Sequence, residues 1–373
     1  MKLFKCTHCG QLLYFENIRC EQCGHSLGFL GKALQLVPLV PTEDPEGYRL
    51  YDNGPETYRY CANHGHGACN WLVPEGNPSP YCEACVLNHA VPDLTIPEHL
   101  ARWRTIEVAK HRLVYTLLRM GLPPVPKSQD PVQGLAFDLL ADEPGGKRVL
   151  TGHAAGLVTL NIAEADDLER EKARTLMGEP YRTLLGHFRH EIGHYYWDRL
   201  IAGTDEEAGF RTLFGDERAD YAEALQRHYA EGASPDWPYN FISAYATMHP
   251  WEDWAETWAH YLHILDTLET AYAFGLRVRP GLAEPDDGLK ADIRVDPYHL
   301  ESFDTLIGMW LPLSFAVNSL NRSMGHHDLY PFVIPPAVMQ KLRFIHGVCW
   351  RARLGEAHST AGVPVAGAAG SRS

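Results

Sequence analysis

Eight of the nine cysteines fall within the first 85 residues, and their spacing limits what that stretch can fold into. Cys6-x2-Cys9 and Cys20-x2-Cys23 are two knuckles, each followed by a glycine, Gly10 and Gly24. A CxxC turn puts two thiolates on one side of an ion, and a second knuckle closes a tetrahedral all-sulfur shell, the geometry of structural zinc. A redox CxxC pair is the rival, but two matched pairs so close together fit it poorly. Cys61, Cys69, Cys82 and Cys85 form a second set, one half a knuckle and the other looser. His64 and His66 lie inside the loose half and are candidates to replace one sulfur; four cysteine ligands are preferred. His8, His25 and His89 lie nearby and read as solvated or supporting groups. The chain opens Met-Lys-Leu-Phe-Lys-Cys with no apolar leader, so the expected location is cytoplasmic, where crowded cysteines read as metal ligands before disulfides. Modules this small have little core, so metal supplies much of their folding free energy. Cys349 stands alone beside an apolar helix and reads as a small buried residue.

Residues 1–27 therefore form a first zinc module. Residues 28–95 form a second one with its linker, containing β-like stretches at Leu34–Val40 and Tyr48–Tyr51. Residues 96–352 form the main domain, and 353–373 an Ala/Gly/Ser/Val-rich disordered tail. Pro97 opens an amphipathic helix over 97–120, with Thr95 as its cap and Gly121 and Pro123 as its stop. Strands are expected at Leu135–Leu140 and Leu157–Ile162. The pattern from Ala163 to about Trp350 is helical with short breaks. Net charge is 33 − 47 = −14, and segment 36–95 carries eight acidic and two basic residues, which disfavours nucleic acid as a partner. These modules are expected to grip protein or their own chain. No apolar run approaches the 18 residues of a membrane span. No nucleotide-binding glycine loop stands out, nor any Ser or Cys nucleophile motif.

The chemistry concentrates at His190-Glu191-Ile192-Gly193-His194, an HExxH motif in a helical stretch, Tyr181–Leu200. Positions i and i+4 share a face, so both imidazoles can bind one zinc, and Glu191 can take a proton from water. Gly193 leaves room for close packing. The strand Gly156–Ile162 precedes the motif helix, and in zincin-type peptidases an edge strand beside that helix binds extended substrate. A catalytic zinc needs a third protein ligand. There is no HExxHxxGxxH extension, since positions 197 and 200 are Trp and Leu. Two later groups compete. Asp216, Glu217 and Asp220 form one; their bland reading is a helix N-terminus that favours acids. Glu252, just inside a helix opened by Pro250, is preferred. Glu256 shares its face and can support a ligand imidazole. Tyr245, on the approach loop, can donate to a developing oxyanion. His187, His260 and His263 share these faces and read as packed or supporting histidines. Arg322, with His326 and Asp328, lies in a late polar loop and is a candidate carboxylate binder or ordinary turn chemistry.

The block Tyr245-Ala-Thr-Met-His-Pro250-Trp-Glu252-Asp-Trp-Ala255-Glu256 resembles the third-ligand block of Mlc-titration-factor-type and anthrax-lethal-factor-like peptidases. That resemblance implies zinc ligation by Glu252 and transition-state support by Tyr245. Up to its tail the whole chain resembles the bacterial zinc-binding metallopeptidases with an N-terminal zinc-ribbon region. The implied fold class is α+β: a mostly helical zincin-like metallopeptidase domain behind small, metal-stabilised β modules. The implied cofactors are one catalytic and two structural Zn2+. The implied partner is a peptide or protein substrate, with a further protein partner possible through the zinc ribbons, and no membrane. The rival class is a scaffold: zinc ribbons that recruit a partner, with a silent zincin domain.

Overall fold

The structure is a computed structural model that describes residues 2–52, 54–143, 145–146, 148–167, 170, 183–282, 284 and 287–360. Strands β1 (Phe4–Lys5) and β2 (Leu12–Leu13) pair antiparallel around the first knuckle. The Gly10 and Gly24 amides donate to the carbonyls of Cys6 and Cys20 at 2.8 Å, in a left-handed conformation (φ 80° and 77°) that glycine adopts freely. An antiparallel five-stranded sheet follows in sequence order: β3 (Leu27–Leu30), β4 (Gln35–Pro41), β5 (Tyr48–Leu50), β6 (Thr57–Tyr60) and β7 (Leu72–Pro74). The two expected β stretches are β4 and β5.

Helix α1 (Pro97–Met120) has the expected proline start and Gly121 stop, with Gly121 left-handed at φ 71°. Its N-cap is Ile96, not Thr95. Thr95 instead donates to Asp93 from its amide and hydroxyl, closing the turn ahead of the helix.

A second sheet has the order β10 (Gly152–Ala154), β11 (Leu157–Asn161), β9 (Ala136–Leu140), β8 (Asn88–Ala90). Strands β8, β9 and β11 are parallel, and β10 is antiparallel on the outside. Strands β9 and β11 fall where the sequence put them. The expected edge strand, Gly156–Ile162, is interior. A tight turn folds residues 152–154 back over it, so β10 is the edge next to the motif helix.

The rest is helical: α2 (Leu184–Leu200), α3 (Glu207–Phe214), α4 (Tyr221–Glu231), α5 (Trp237–Asn240), α6 (Pro250–Ala273), α7 (Phe303–Ser323) and α8 (Pro336–Thr360). The strand pair β12 (Arg277–Val278) and β13 (Ala291–Asp292) interrupts the expected helical run. Helix α8 runs past residue 353, where the tail was expected to begin. Arg353 and Leu354 favour helix, Arg353 bonds the Tyr298 carbonyl, and the helix ends at Thr360. The expected disorder of 361–373, and the expected helical start at 181–182, lie outside the described residues. No described helix is long and apolar enough to cross a membrane.

One apolar core runs from Phe4 and Phe29 through Trp71 and Tyr115 to Phe188, Trp258 and Leu342. The Phe15 ring packs on Tyr115 of α1 at 5.4 Å, and Asn70 donates to the Phe15 carbonyl at 2.8 Å.

Candidate metal centres and active site

The four sulfurs of Cys6, Cys9, Cys20 and Cys23 lie within 4.8 Å of one another, as do those of Cys61, Cys69, Cys82 and Cys85. All nine cysteines are free thiols. The Trp71 and Cys82 amides point at the sulfurs of Cys69 and Cys61, at 3.3 and 3.4 Å. Burial pushes the Cys69 and Cys82 thiols well above their ordinary range. Thiols packed this way need a cation to hold them as thiolates, so the donor set fits zinc. His64 is not in the second cluster. Its Nδ1 donates to the Cys69 carbonyl at 2.8 Å, and its ring stacks on Tyr60. His66 packs against Trp103. The unexpected neighbour is His111 of α1, whose Nε2 lies 3.2 Å from Cys69 Sγ and 3.6 Å from Cys85 Sγ. Its signal was a polar trio, Glu107, Lys110 and His111, on a buried helix face. His25 Nδ1 lies 3.4 Å from Cys23 Sγ, the His8 ring lies 4.5 Å from that of His25 at a tilt of 45°, and His89 pairs with Asp138 at 2.7 Å. Cys349 is buried.

The third centre lies where α2 meets α6. Thr183 caps α2 by accepting from the Gly186 amide at 3.0 Å. His249 caps α6, its Nδ1 accepting from the Trp251 amide at 3.1 Å. Gly193 lets the helices touch: a Cβ there would sit 2.9 Å from Ala255 Cα. The Trp254 indole crosses the contact and donates to the Gly193 carbonyl at 2.9 Å.

This contact brings His190, His194 and Glu252 together, one ligand atom from each within 4.8 Å of the others. Glu252 carboxylate oxygens lie 3.0 Å from His190 Nε2 and 3.5 Å from His194 Nε2. The other His190 nitrogen, Nδ1, is 2.6 Å from Glu256, which also accepts from Ser243 at 2.6 Å. This leaves His190 Nε2 on the side of Glu252 and His194. Burial works against charge on Glu252 and Glu256. The imidazoles outweigh it, holding Glu252 well below the carboxylate range and Glu256 at about 2. Oε2 of Glu191 is buried without a hydrogen-bond partner among the described residues, and Oε2 of Glu252 is buried with only His190 Nε2 near it, at 3.0 Å. Two imidazoles and a carboxylate closing on one point, with an unmet buried Glu191 oxygen beside it, fit a zinc site with an open position.

Glu191 is buried, and its Oε1 lies 3.2 Å from His187 Nε2. His187 Nδ1 is in turn 2.6 Å from Glu164, which accepts from Thr151 at 2.5 Å. Burial raises Glu191, and His187 and the neighbouring imidazoles more than reverse it. His187 thus links the motif glutamate to Glu164, the supporting position among its two readings. Tyr245 sits in a single 3-10 turn (Tyr245–Thr247), its ring 6.0 Å from His190. Burial, then Glu252, pushes its phenol far above the usual range. Tyr221, which sequence reasoning missed, donates to Glu252 at 3.0 Å.

The competing acids stand elsewhere. Asp216 pairs with Arg218 at 2.7 Å and Glu217 with Arg211 at 3.0 Å. Asp220 caps α4, accepting from the Glu223 amide at 2.8 Å. His260 Nδ1 meets the Tyr330 hydroxyl at 2.8 Å, and His263 packs against Trp310 and Tyr330. Exposed Arg322 is engaged by half-buried Asp328 through two bonds, at 2.5 and 2.6 Å, the turn chemistry of its bland reading.

Residues 99–348 match the family described as "putative zinc-binding metallo-peptidase", and residues 3–96 match a zinc-ribbon domain. The chain belongs to this metallo-peptidase family. It is 48% identical over 350 residues to an uncharacterized protein of Mycobacterium tuberculosis and to one of Mycobacterium bovis, covering 93% of this chain and 95% of each relative. No solved structure matches it significantly.

Proposed function

We propose that the chain is a zinc-dependent peptidase whose reaction centre is His190, Glu191, His194 and Glu252, behind two structural zinc ribbons. The observation that carries this reading is the meeting of the three ligand atoms next to an unpartnered Glu191 oxygen. Zinc held there would supply a Lewis acid that acidifies water and polarises the scissile carbonyl. Glu191, fixed by His187 and Glu164, accepts the proton of the attacking water and passes it to the leaving amine. Glu256 holds His190 by Nδ1 and sets which nitrogen faces the centre. Tyr245 donates to the acyl oxygen as it gains charge, and Tyr221 steadies Glu252. The ribbons regulate the peptidase or recruit its partner or substrate.

The test is zinc per chain by elemental mass spectrometry, together with hydrolysis of labelled casein. Wild type is expected to carry about three zincs, Glu252→Ala about two, and Asp216→Ala about three. Glu191→Gln is expected to keep about three zincs and lose hydrolysis by about 100-fold or more. About two zincs in wild type would put the scaffold reading ahead.

A further inference from the structure

His153 is a partly buried imidazole beside the centre, and no role above uses it. It lies on edge strand β10, its ring 5.7 Å from His194 at an interplanar angle of 25° and 6.0 Å from Trp251. The chain turns straight after it. Ala155 (φ 45°) and Gly156 (φ 79°) form a two-residue hairpin turn between β10 and β11, both left-handed. Glycine is required at 156, where a Cβ would stand 2.2 Å from the Gly134 carbonyl oxygen. Alanine at 155 carries strain of about 1–3 kcal/mol, and strain of this kind gathers at functional sites.

The turn aims the Gly156 amide at His153 Nε2, 3.0 Å away. A backbone N–H only donates, so Nε2 accepts and carries no proton. The proton of the neutral ring is therefore on Nδ1. Nδ1 is buried and has no hydrogen-bond partner among the described residues. Natural proteins rarely leave such a donor unmet, and each one costs about 1–3 kcal/mol. A strained turn thus fixes the tautomer of a ring beside His194 and leaves its Nδ1–H unpartnered, while the Tyr245 ring stands beside His190.

We propose that His153 is a second catalytic hydrogen-bond donor: Nδ1–H binds the acyl oxygen of the scissile peptide bond as that oxygen becomes negative. The proposal rests on the peptidase reading above. No proton is transferred; the ring stays neutral, and the bond strengthens as charge develops. The Tyr245 ring stands beside one ligand imidazole and the His153 ring beside the other, so the new charge would be distributed over two neutral donors.

Two substitutions separate this role from a structural one. His153→Asn keeps an N–H where Nδ1 stood and loses the Gly156 contact. His153→Gln reaches the Nε2 position and loses the donor. The probe is a phosphinic dipeptide, whose tetrahedral phosphorus oxygens stand in for the charged acyl oxygen. It is titrated calorimetrically into the zinc-loaded full chain, with zinc per chain counted for each variant. His153→Asn is expected to bind within about tenfold of wild type, and His153→Ala and His153→Gln at least about 100-fold more weakly, at equal zinc content. The proposal is overturned if His153→Ala binds within about threefold of wild type. It is equally overturned if Asn weakens binding as much as Ala while Gln does not, which marks the Gly156 contact as the operative one. A wild type with no zinc at His190, His194 and Glu252 would bring down the peptidase reading itself, and this role with it.

Discussion

Lys341→Met tests what holds the Glu252 helix in place. Lys341 of α8 donates to Asp253 at 2.6 Å and to the Asn240 carbonyl at 2.8 Å, with its ammonium over the Phe241 ring at 4.3 Å. Asp253 is fully buried and adjoins Glu252 in the first turn of α6. Burial pushes the Asp253 carboxyl up to about 7 even though Lys341 pulls it down. Removing the ammonium leaves a buried carboxylate alone, a loss of about 3–5 kcal/mol. The pH dependence has a definite sign. A carboxyl whose folded pKa lies above its unfolded value contributes stability that is present below the unfolded value, about 4, and lost as pH rises through the folded value. Lys341→Met lifts the folded value further, so the variant's deficit is largest near pH 8 and shrinks towards pH 5, where Asp253 takes a proton. Urea unfolding followed by circular dichroism, at both pH values and with zinc present, measures it. The double variant Asp253→Leu/Lys341→Met is expected to recover most of the loss, because no charge is left buried. A loss below about 1 kcal/mol at pH 8, a loss equal at both pH values, or a double variant no better than the single one would refute the reasoning.

Gly193→Ala places a Cβ 2.9 Å from Ala255 Cα and 3.3 Å from Ala255 Cβ and Trp258 Cβ. Prying α2 from α6 is expected to cost about 1–3 kcal/mol in urea unfolding and to lower zinc at the His190 site, with Ala255→Gly restoring part of both. His111→Ala removes the Nε2 group 3.2 Å from Cys69 Sγ. Zinc affinity of the second four-cysteine cluster is expected to fall about 10- to 100-fold in chelator competition, with the first cluster unchanged.

The parts of the site that sequence showed are those set by local spacing. CxxC and HExxH put donors on one side of a turn or helix whatever the rest of the chain does. Glu252 was legible because proline starts a helix and places the acid in its first turn. His111, Tyr221 and Glu164 were not. Each reaches its partner across the fold, from 42, 31 and 23 residues away, and none sits in a pattern that names that partner. His153 was hidden for another reason. Its position depends on Ala155 accepting a left-handed turn, and a sequence reading assigns that conformation to glycine or asparagine before alanine. The same turn made Gly156–Ile162 look like an edge. The end of α8 was not legible because a small-residue stretch does not say where the preceding helix ends.

Helix α1 determines how the ribbons and the peptidase centre depend on each other. One face meets the second cysteine cluster through His111, with Glu107 and Lys110 buried beside it. The next turns meet α6, the helix that carries Glu252 and Glu256. Thr116 donates to Asp266 at 2.7 Å, Tyr115 to Glu269 at 2.6 Å and Arg119 to Glu269 at 2.8 Å. Phe15, Phe29 and Trp71 of the ribbons complete the core beneath Tyr115. A ribbon hung on a linker would melt alone when its zinc is removed. Here its loss strips the apolar cover from the helix that braces α6. Calorimetry of the full chain is therefore expected to show one main transition that moves down as a whole when the His111→Ala variant is partly stripped of zinc. A low ribbon transition separating from an unmoved peptidase transition would mean that α1 does not couple them. In that case recruitment, rather than stabilisation or control, would be the role left to the ribbons.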